Sequence, residues 1–255
     1  MITVVDIGNT SSLFASFNKK VITDKLRVET NQLSVSKSNI ENAITSEIIK
    51  FIEKNDPNKI ILSGVVPQAI MNLYSLLNQK KLNAEIDIID TNKLLKFINV
   101  DLENPNEVGD DRIINAIAAN HLYKPPHIII DFGTATTFDI VNVKKDYIGG
   151  LICPGINLTL KSLNDGTALL PLIEFKKTNE IIGKSTVGAM ESGVYWGYIS
   201  LIEGIVERLL KDNDCTNANV VATGGYAKVF ENDLKCINYI EEDLTLIGLN
   251  LTASN

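Results

Sequence analysis

The sequence predicts an α/β protein made of two similar lobes, and two observations lead to this prediction. Short β-branched runs alternate with amphipathic helical segments, which is typical of a central sheet with helices packed on it. An apolar strand followed by Asp, an apolar residue and Gly occurs twice, at Asp6-Ile7-Gly8 and at Asp131-Phe132-Gly133. The two aspartates lie 125 positions apart, about half of the chain. This repeat indicates a duplicated fold.

The chain is long enough for both lobes. It has 255 residues, 45% of them hydrophobic, which is more than one minimal domain needs for a core. We expect an N-terminal lobe over residues 1–118 and a C-terminal lobe over residues 119–255.

The elements of the first lobe follow from local patterns. In chain order we expect a hairpin over 2–17, a strand over 21–28, a helix that starts at the capping box Ser38-Asn39-Ile40-Glu41 and stops at Pro57, a strand over 59–63, a helix through about residue 81 and a strand over 85–90. Asn104-Pro105-Asn106 then breaks the chain before a helix that begins at Asp110-Asp111-Arg112.

The second lobe repeats this alternation. We expect a hairpin over 128–143, a strand over 147–152, a helix over 156–163, a long helix from Thr186 to about Leu210, a strand over 219–222 and two further segments over 237–240 and 244–251. Four glycines in the long helix, at 188, 193, 197 and 204, are costly there and indicate close approach of its backbone to a ligand or another helix. Our hypothesis is that this helix faces a second subunit.

Composition excludes several classes of protein. A net charge of −7 argues against non-specific nucleic-acid binding, and no apolar run approaches the roughly 20 residues of a membrane span. The chain enters a strand at Ile2, so no signal peptide is expected. Three scattered cysteines and two histidines argue against a disulfide framework, a zinc site or a Ser-His-Asp triad. We expect a cytoplasmic protein with neither a nucleic-acid nor a membrane partner.

The two Asp-x-Gly turns are candidate phosphate sites. A tight turn with Gly and hydroxyl residues can bring backbone N–H groups close to a phosphate, and an acid at the strand end can hold a cation beside it. Two such turns indicate a nucleotide held between the two halves. The alternative is two ordinary hairpins whose glycines serve only the turn geometry.

Three other motifs leave alternatives open. Asp110-Asp111-Arg112 lies at a predicted helix N-terminus, where an ionised carboxylate is favoured, but Asp is also a common helix cap. Thr223-Gly224-Gly225 is either a contact to the base or ribose of a nucleotide or a close-packed corner. Gly183-Lys184-Ser185-Thr186 resembles the end of a P-loop, which we reject because Thr178 stands where the first Gly is required.

Taken in chain order, these motifs resemble one family. The set is Asp6-Ile7-Gly8-Asn9-Thr10, Gly109-Asp110-Asp111-Arg112, Asp131-Phe132-Gly133-Thr134-Ala135-Thr136-Thr137, Gly149-Gly150 with Pro154-Gly155, Thr186, and Thr223-Gly224-Gly225. It resembles the type III pantothenate kinases, within the acetate and sugar kinase, Hsp70 and actin superfamily. The resemblance covers nearly the whole chain. It implies a duplicated actin-like, ribonuclease H-like ATPase fold with the nucleotide in the cleft between the lobes.

The resemblance also implies an activity. A member transfers the γ-phosphoryl group of ATP to the primary hydroxyl of pantothenate, the first step of coenzyme A biosynthesis, with Mg²⁺ and a monovalent cation, K⁺ or NH₄⁺. It is typically a cytoplasmic homodimer.

Site residues are carried over by motif. The implied ATP contacts are Asp6, Ile7, Gly8, Asn9, Thr10, Ser11, Ser12, Leu13, Gly133 and Thr134. The implied pantothenate contacts are Leu102, Gly109, Asp110, Asp111, Arg112 and Thr186. Asp111 would accept the proton, Asp131 would bind K⁺, and Asp6 would reach Mg²⁺ through water because Mg²⁺ keeps much of its hydration. Arg112 can hold the pantothenate carboxylate bidentately.

Two positions depart from the family pattern. Leu102 stands where the family usually has a Tyr that touches the substrate, and Asp110 stands where a small residue is common. A second carboxylate beside Asp111 would raise the pKa of that base if both faced the cleft. We expect Asp110 instead to face solvent or to cap the helix.

Two other functions are compatible with the sequence. One is a kinase of another small hydroxy acid. The other is a non-catalytic regulatory relative, against which the retention of Asp6, Asp111 and Asp131 argues.

Overall fold

The computed structural model describes residues 1–34, 43–80 and 82–253. They divide into two compact units. Unit 1 contains Met1–Ala118 and the described residues from Leu244 onward, and unit 2 is Ala119–Asp243. The predicted capping box at Ser38-Asn39-Ile40-Glu41 lies outside the described residues.

Unit 1 holds one sheet and most of the short helices. Its elements are β1 (Ile2–Ile7), β2 (Ser11–Asn18), β3 (Val21–Glu29), α1 (Thr30–Leu33), α2 (Ala43–Asn55), β4 (Lys59–Gly64), α3 (Pro67–Gln79), β5 (Glu85–Ile88), α4 (Thr91–Leu94) and the start of α5 (Asp110–Leu122). The strand order is β3-β2-β1-β4-β5. β1 pairs antiparallel with β2 and parallel with β4, so β1 is the central strand.

Unit 2 contains the second sheet. Its elements are the end of α5, β6 (His127–Phe132), β7 (Ala135–Val141), β8 (Tyr147–Pro154), α6 (Ile156–Asp165), α7 (Thr186–Leu209), β9 (Asn219–Thr223) and β10 (Tyr239–Ile240). The strand order is β10-β9-β6-β7-β8. β6 pairs antiparallel with β7 and parallel with β9, as β1 does with β2 and β4.

The two sheets therefore have the same topology. In each, a central strand turns back into an antiparallel ribbon of three strands, and two later strands extend the sheet in parallel on the other side. The predictions of an α/β class and of two similar lobes are confirmed.

Each sheet has its own core of β-branched and aromatic side chains. In unit 1 Val5, Ile7 and Phe14 pack with residues of α2 and α3. In unit 2 Ile128 and Ile130 pack with residues of α6 and α7. Full burial of one such side chain contributes about 1.5–3 kcal/mol.

The final helix, α8 (Leu244–Thr252), is placed differently from our expectation. We placed residues 244–251 in the second lobe, but α8 packs against β1 in unit 1. Thr245 Oγ1 donates to Asn115 Oδ1 at 2.8 Å, and Asn250 Nδ2 donates to the Lys19 carbonyl at 2.8 Å. A Cβ on Gly248 would lie 2.4 Å from the Ile114 carbonyl oxygen, so glycine permits this close packing.

Smaller differences concern short elements. The four-residue helices α1 and α4 carry no sequence pattern that predicted them. The segment after Thr223-Gly224-Gly225 forms a 3₁₀ turn at Ala227–Phe230, between the elements predicted over 219–222 and 237–240.

His127 is a buried polar residue at the start of β6. It is 0% exposed, and within the described ranges neither ring nitrogen has a hydrogen-bond partner. Burial, together with the smaller effect of the Lys145 charge, lowers the pKa of His127 from 6.5 to about 4. The folded protein therefore keeps this ring neutral.

We predict that His127 makes the fold sensitive to acid. The unfolded chain binds a proton at this ring below pH 6.5, whereas the folded chain resists it down to about pH 4. The free energy of unfolding should therefore fall as the pH drops through that window, by at most about 3 kcal/mol from this residue. Urea unfolding at pH 7.5 and pH 4.5 measures the loss.

His127→Leu should reduce the loss, and His121→Leu, at an exposed histidine, should leave it as in the wild type. An unchanged pH dependence in His127→Leu would contradict the assignment.

Candidate active site

The first Asp-x-Gly turn joins β1 to β2. Gly8 N–H donates to the Ser11 carbonyl at 3.1 Å, which leaves Asn9 and Thr10 at the tip of the turn. Both tip residues are exposed, while Asp6 is half-buried near the end of β1. The turn thus presents backbone and polar side chains beside a carboxylate.

Thr30 supports this turn from the end of β3. Its hydroxyl donates to the Gly8 carbonyl at 2.7 Å, and its N–H donates to the Thr10 carbonyl at 3.0 Å. The Ser12 and Thr30 hydroxyls are 2.9 Å apart, and because Thr30 gives its proton to Gly8, Ser12 is the donor between them. Ser12 is buried, so its hydroxyl stabilises the turn from inside.

The second turn joins β6 to β7 and is tighter. Gly133 N–H donates to the Ala135 carbonyl at 3.1 Å, so only Thr134 lies between them, and it is exposed. A Cβ on Gly155 would lie 2.1 Å from the Thr134 carbonyl oxygen. The first residue after β8 therefore packs directly on the back of this turn.

Asp131 is half-buried on β6, two residues before Gly133. Gly224 has φ +88°, and a Cβ there would lie 2.4 Å from Asp131 Oδ1 and 2.7 Å from the backbone of Phe132. Of the two alternatives for Thr223-Gly224-Gly225, the close-packed corner describes Gly224. A side chain at position 224 would overlap the Asp131 carboxylate, so glycine is required beside it.

The first sheet has an equivalent glycine that the sequence analysis missed. Gly64 is the last residue of β4, and Gly224 directly follows β9. A Cβ on Gly64 would lie 2.2 Å from the Ile7 carbonyl oxygen. Both glycines have a positive φ, +154° at Gly64 and +88° at Gly224, and both lie at the end of a strand that pairs in parallel with the central strand. The sequence signal for this glycine is a hydroxyl residue followed by Gly at the end of a strand. It occurs as Ser63-Gly64 and as Thr223-Gly224, where the two strands that pair in parallel with the Asp-x-Gly strands end.

Tyr198 of α7 fixes the second turn to the helix behind it. Its hydroxyl lies 2.6 Å from Thr136 Oγ1 and donates to the Pro154 carbonyl at 2.6 Å. Since the Tyr198 proton goes to Pro154, Thr136 donates to Tyr198. Sequence reasoning gave no role to Tyr198, because its position on an apolar helix face is also typical of a core residue.

The Gly109–Arg112 motif forms the N-terminus of α5. Asp111 Oδ1 accepts from Arg112 N–H at 2.9 Å, and a Cβ on Gly109 would lie 2.6 Å from the same oxygen. Burial raises the pKa of the Asp111 carboxyl above its ordinary 3.8, while the N–H and the charge of Arg112 act in the opposite direction. Asp111 is thus a half-buried carboxylate with an oriented oxygen and a raised pKa.

We expected Asp110 to face solvent or to cap the helix, and this prediction is wrong. It is the first residue of α5, and its Oδ1 accepts the Thr91 hydroxyl at 2.7 Å. Burial raises the pKa of Asp110, the Thr91 hydrogen bond lowers it, and the charges of Asp90 and Asp111 raise it. Thr91 belongs to α4, which sequence patterns did not predict.

Leu102 and Thr186 complete the predicted substrate residues. Leu102 is half-buried ahead of the 3₁₀ turn Pro105–Glu107. Thr186 is the exposed first residue of α7, whose Ser185 hydroxyl caps the helix by accepting from Gly188 N–H at 3.0 Å. Within unit 2, Thr186 borders a groove of about 700 Å³ between α6 and α7. Apolar residues that line this groove include Leu163, Leu170, Met190 and Val194.

The geometry around Thr186 agrees with the rejection of a P-loop. In the described chain, no strand lies between α6 and α7. A Cβ on Gly183 would lie 2.2 Å from Ala189 N, so this glycine packs against the helix that it precedes.

Neither a clustered metal site nor a membrane span is present in the described residues. They contain no group of three or more His, Cys, Asp or Glu side chains that could hold a metal ion. Their helices are too short or too polar to cross a bilayer.

Comparison with known protein families identifies one family over most of the chain. The sequence model of the type III pantothenate kinases matches residues 2–208. The chain belongs to the type III pantothenate kinase family. It is 37% identical over 250 residues to the type III pantothenate kinase of Paramagnetospirillum magneticum, covering 98% of this chain and 95% of the relative. It is 46% identical over 192 residues to that of Caulobacter vibrioides, covering 74% and 72%.

A solved structure supports the fold. A candidate 2-dehydro-3-deoxygalactonokinase of Sinorhizobium meliloti aligns with 99% of this chain and 98% of its own, with a TM-score of 0.61 and 12% identity. At that identity the likeness concerns the fold alone, which is the actin-like fold that the motifs of a type III pantothenate kinase predict.

The structure places the predicted residues in five places, one of which is Leu102 alone, ahead of the 3₁₀ turn. The other four contain the remaining residues. Residues 6–13 form one hairpin, Asp131, Gly133 and Thr134 form a second, residues 109–112 form one helix start, and Thr186 begins α7. Three hydroxyl groups hydrogen-bond to these segments, and no sequence motif pointed to them. They belong to Thr30, Thr91 and Tyr198.

We predict that Gly155→Ala disrupts the second turn. The new Cβ would overlap the Thr134 carbonyl, so the free energy of unfolding should fall by about 1–3 kcal/mol. Gly193→Ala is the matched control, because a Cβ there meets nothing within 4 Å and replaces a helical glycine, which should add about 0.5–1 kcal/mol. Urea unfolding of both variants tests this. Equal stabilities would show that Gly155 is not sterically required.

Proposed function

We propose that this chain transfers the γ-phosphoryl group of ATP to the primary hydroxyl of pantothenate, the first step of coenzyme A biosynthesis. The observation that carries the proposal is the Asp111 carboxylate, which is oriented at the start of α5 beside Arg112 and has a raised pKa. Membership of the type III pantothenate kinase family supplies the substrate.

Asp111 acts as the proton acceptor for the pantothenate hydroxyl. An alcohol needs little activation until late in phosphoryl transfer, so one oriented carboxylate is sufficient. Its Oδ1 is occupied by the Arg112 N–H, which fixes the carboxylate plane. The raised pKa makes Asp111 a better base than an exposed Asp would be.

The family motifs assign the residues that hold pantothenate. Arg112 binds the substrate carboxylate, Gly109 admits the substrate close to the backbone, and Asp110 contributes through its position beside Asp111. Leu102 offers an apolar wall in place of the family's usual Tyr, and Thr186 offers a hydroxyl. The Asp110 carboxylate is tied to Thr91, which supports its role as a fixed part of the pocket wall.

ATP is bound by the two Asp-x-Gly turns. Residues 6–13 supply the first turn, and Gly133 with Thr134 supplies the second. Exposed N–H groups and hydroxyls at both tips suit phosphate oxygens. Mg²⁺, when bound, neutralises phosphate charge, and Asp6 would hold it through water, as the preference of Mg²⁺ for its own hydration favours.

Asp131 would hold the monovalent cation, K⁺ or NH₄⁺. Carboxylate and hydroxyl oxygens are hard ligands that suit such ions, and Gly224 has no side chain to overlap Asp131 Oδ1. Bound there, the cation adds positive charge to the site.

We further propose a homodimer formed through unit 2. Fifteen large hydrophobic residues are exposed in the described part of the chain, and eight of them lie between positions 151 and 187. These eight are Leu151, Ile152, Leu158, Leu169, Leu172, Ile181, Ile182 and Val187. Leu151 and Ile152 lie on β8, which is uncharged and at the edge of its sheet. The other six lie in α6, at the start of α7 or in the segment between these helices. An uncharged apolar edge of this kind associates with another chain.

We predict a mass near twice the 28.0 kDa of one chain by light scattering. Ile152→Lys and Ile182→Lys, at positions that are 68% and 76% exposed, should each shift the protein toward monomer because they charge the apolar surface. Val21→Lys, at a 66% exposed position in unit 1, is the control and should stay dimeric. A wild-type monomer would refute the dimer.

The three cysteines are free in the structure, which supports a reducing compartment, and we propose the cytoplasm.

The direct test of the proposed reaction is ADP formation from ATP with Mg²⁺, with and without pantothenate, in potassium and in sodium buffer. Pantothenate-dependent turnover favoured by potassium is expected. Turnover with another hydroxy acid but not with pantothenate would refute pantothenate as the substrate. ATP binding without any turnover would indicate a regulatory relative.

We predict that Asp111→Asn folds and binds ATP but loses about 100-fold or more in turnover, because the amide cannot accept the proton. Wild-type turnover should decline as the pH falls through a pKa above 3.8. Asp165→Asn, at an exposed position at the end of α6, is the control and should keep wild-type turnover. Near wild-type turnover in Asp111→Asn would place the base elsewhere.

A further inference from the structure

Asp139 of β7 is a buried acid that the proposed chemistry leaves unused. It is 0% exposed, in a strand whose neighbouring residues are largely apolar. Burial of an ionised carboxylate is costly unless hydrogen bonds compensate it. We therefore looked for a function of the buried Asp139 carboxylate in its hydrogen bonds.

Two hydroxyl groups donate to Asp139, one to each oxygen. Tyr147 Oη donates to Oδ1 at 2.8 Å, and Thr137 Oγ1 donates to Oδ2 at 3.1 Å. Tyr147 is itself buried, so that side of the carboxylate faces the interior. Thr137 is half-buried and lies on the side toward the second turn.

The strand register places Thr137 beside Asp131. Thr137 is the direct antiparallel partner of Asp131, and Asp139 is opposite Ile129. Directly opposed residues project from the same face of a sheet, as do residues two positions apart on one strand. Asp131, Thr137 and Asp139 therefore share one face, with Thr137 between the two acids.

The hydrogen bond to Asp139 decides what Thr137 can offer. A hydroxyl has one proton and two acceptor lone pairs, and here the proton is given to Asp139. The lone pairs remain for a ligand at the level of Asp131. A hydroxyl oxygen in this state can act as a cation ligand, and it has no proton left to donate to the Asp131 carboxylate.

We propose that Asp139 is a positioning residue that holds the Thr137 hydroxyl with its lone pairs available, so that Thr137 and Asp131 together bind the monovalent cation. The inference rests on the proposed function, because Asp131 is the cation residue assigned there. The Asp131 carboxylate and the neutral Thr137 hydroxyl together carry one negative charge, which matches the single positive charge of the ion. Asp139 lies two residues further along β7 from the turn, so it is not itself a proposed ligand.

The test compares variants of the full chain across a potassium titration at constant ionic strength. Two readouts are used: pantothenate-dependent turnover, and the rise in melting temperature that potassium produces without substrates. Thr137→Val should raise the potassium concentration for half-maximal effect by about 10–100-fold, as the loss of a metal-site partner does. Thr137→Ser, which keeps the hydroxyl, should stay within about twofold of the wild type.

Asp139→Asn should shift the potassium response in the same direction as Thr137→Val. The double variant should match Thr137→Val alone, since Asp139 acts through Thr137. Additive shifts would overturn the positioning role. If Asp139→Asn does not fold, the Thr137→Val and Thr137→Ser pair still decides whether Thr137 binds the cation. Thr23→Val, which removes a hydroxyl that donates to the Ser16 carbonyl in unit 1, is the control and should leave the response unchanged.

Asp131→Ala separates failure of this inference from failure of the function. A wild-type potassium response in Thr137→Val, with a lost response in Asp131→Ala, refutes only the role of Thr137 and Asp139. A wild-type response in Asp131→Ala refutes the cation site itself. Absence of pantothenate-dependent turnover in the wild type refutes the reaction, and the melting readout then still tests the site.

Discussion

Both sheets depend on a central strand that is paired antiparallel on one side and parallel on the other. β1 and β6 each turn back immediately into a hairpin, and each also receives a parallel strand from later in the chain. The parallel strand ends at the same edge of the sheet as the hairpin turn. A carboxylate near the end of the central strand, the N–H groups of the turn and the residue after the parallel strand therefore meet at one place.

Glycine is required where these three segments meet. Gly64 and Gly224 have positive φ angles and lie against the backbone of the central strand, so a Cβ at either position would overlap main-chain atoms. In the second sheet Gly155 fills the space behind the turn from the opposite side. These contacts leave the turn rigid and its tip exposed, and rigid donors are the ones that stabilise charge at little reorganisation cost.

Hydroxyl groups between elements hold the site residues in place. Thr30 supports the first turn, Tyr198 and Thr136 connect the second turn to α7, and Thr91 holds Asp110. In each case the donor and the acceptor belong to segments far apart in the sequence, so the bond is made only after the elements have packed. The Thr137–Asp139 pair is the exception, because both residues lie on β7 and on the same face.

The local sequence predicted most strands, the hairpin turns and the long helix, because their signals lie within a few residues. The β-branched runs that form the strands are bounded by Gly or Pro. The helix α7 begins at Thr186, as predicted, and the Ser185 side chain caps it. The motif residues from Asp6 to Leu13 and from Gly109 to Arg112 could be named for the same reason, since each group occupies one continuous turn or helix start. The placements of Asp110 and of the last helix were wrong, because each depends on a partner that no local pattern specifies.

The sequence by itself therefore determined the duplicated α/β architecture, the family and the motif residues, all of which are written in short segments and their order. Only the tertiary structure decided that α8 packs in unit 1, that Asp110 pairs with Thr91, that Gly224 packs on the Asp131 strand and that Asp139 is buried behind Thr137. These features come from strand register and helix packing between distant segments. Register is fixed by the hydrophobic faces of whole strands, and a buried acid can be recognised only when its neighbours across the sheet are known.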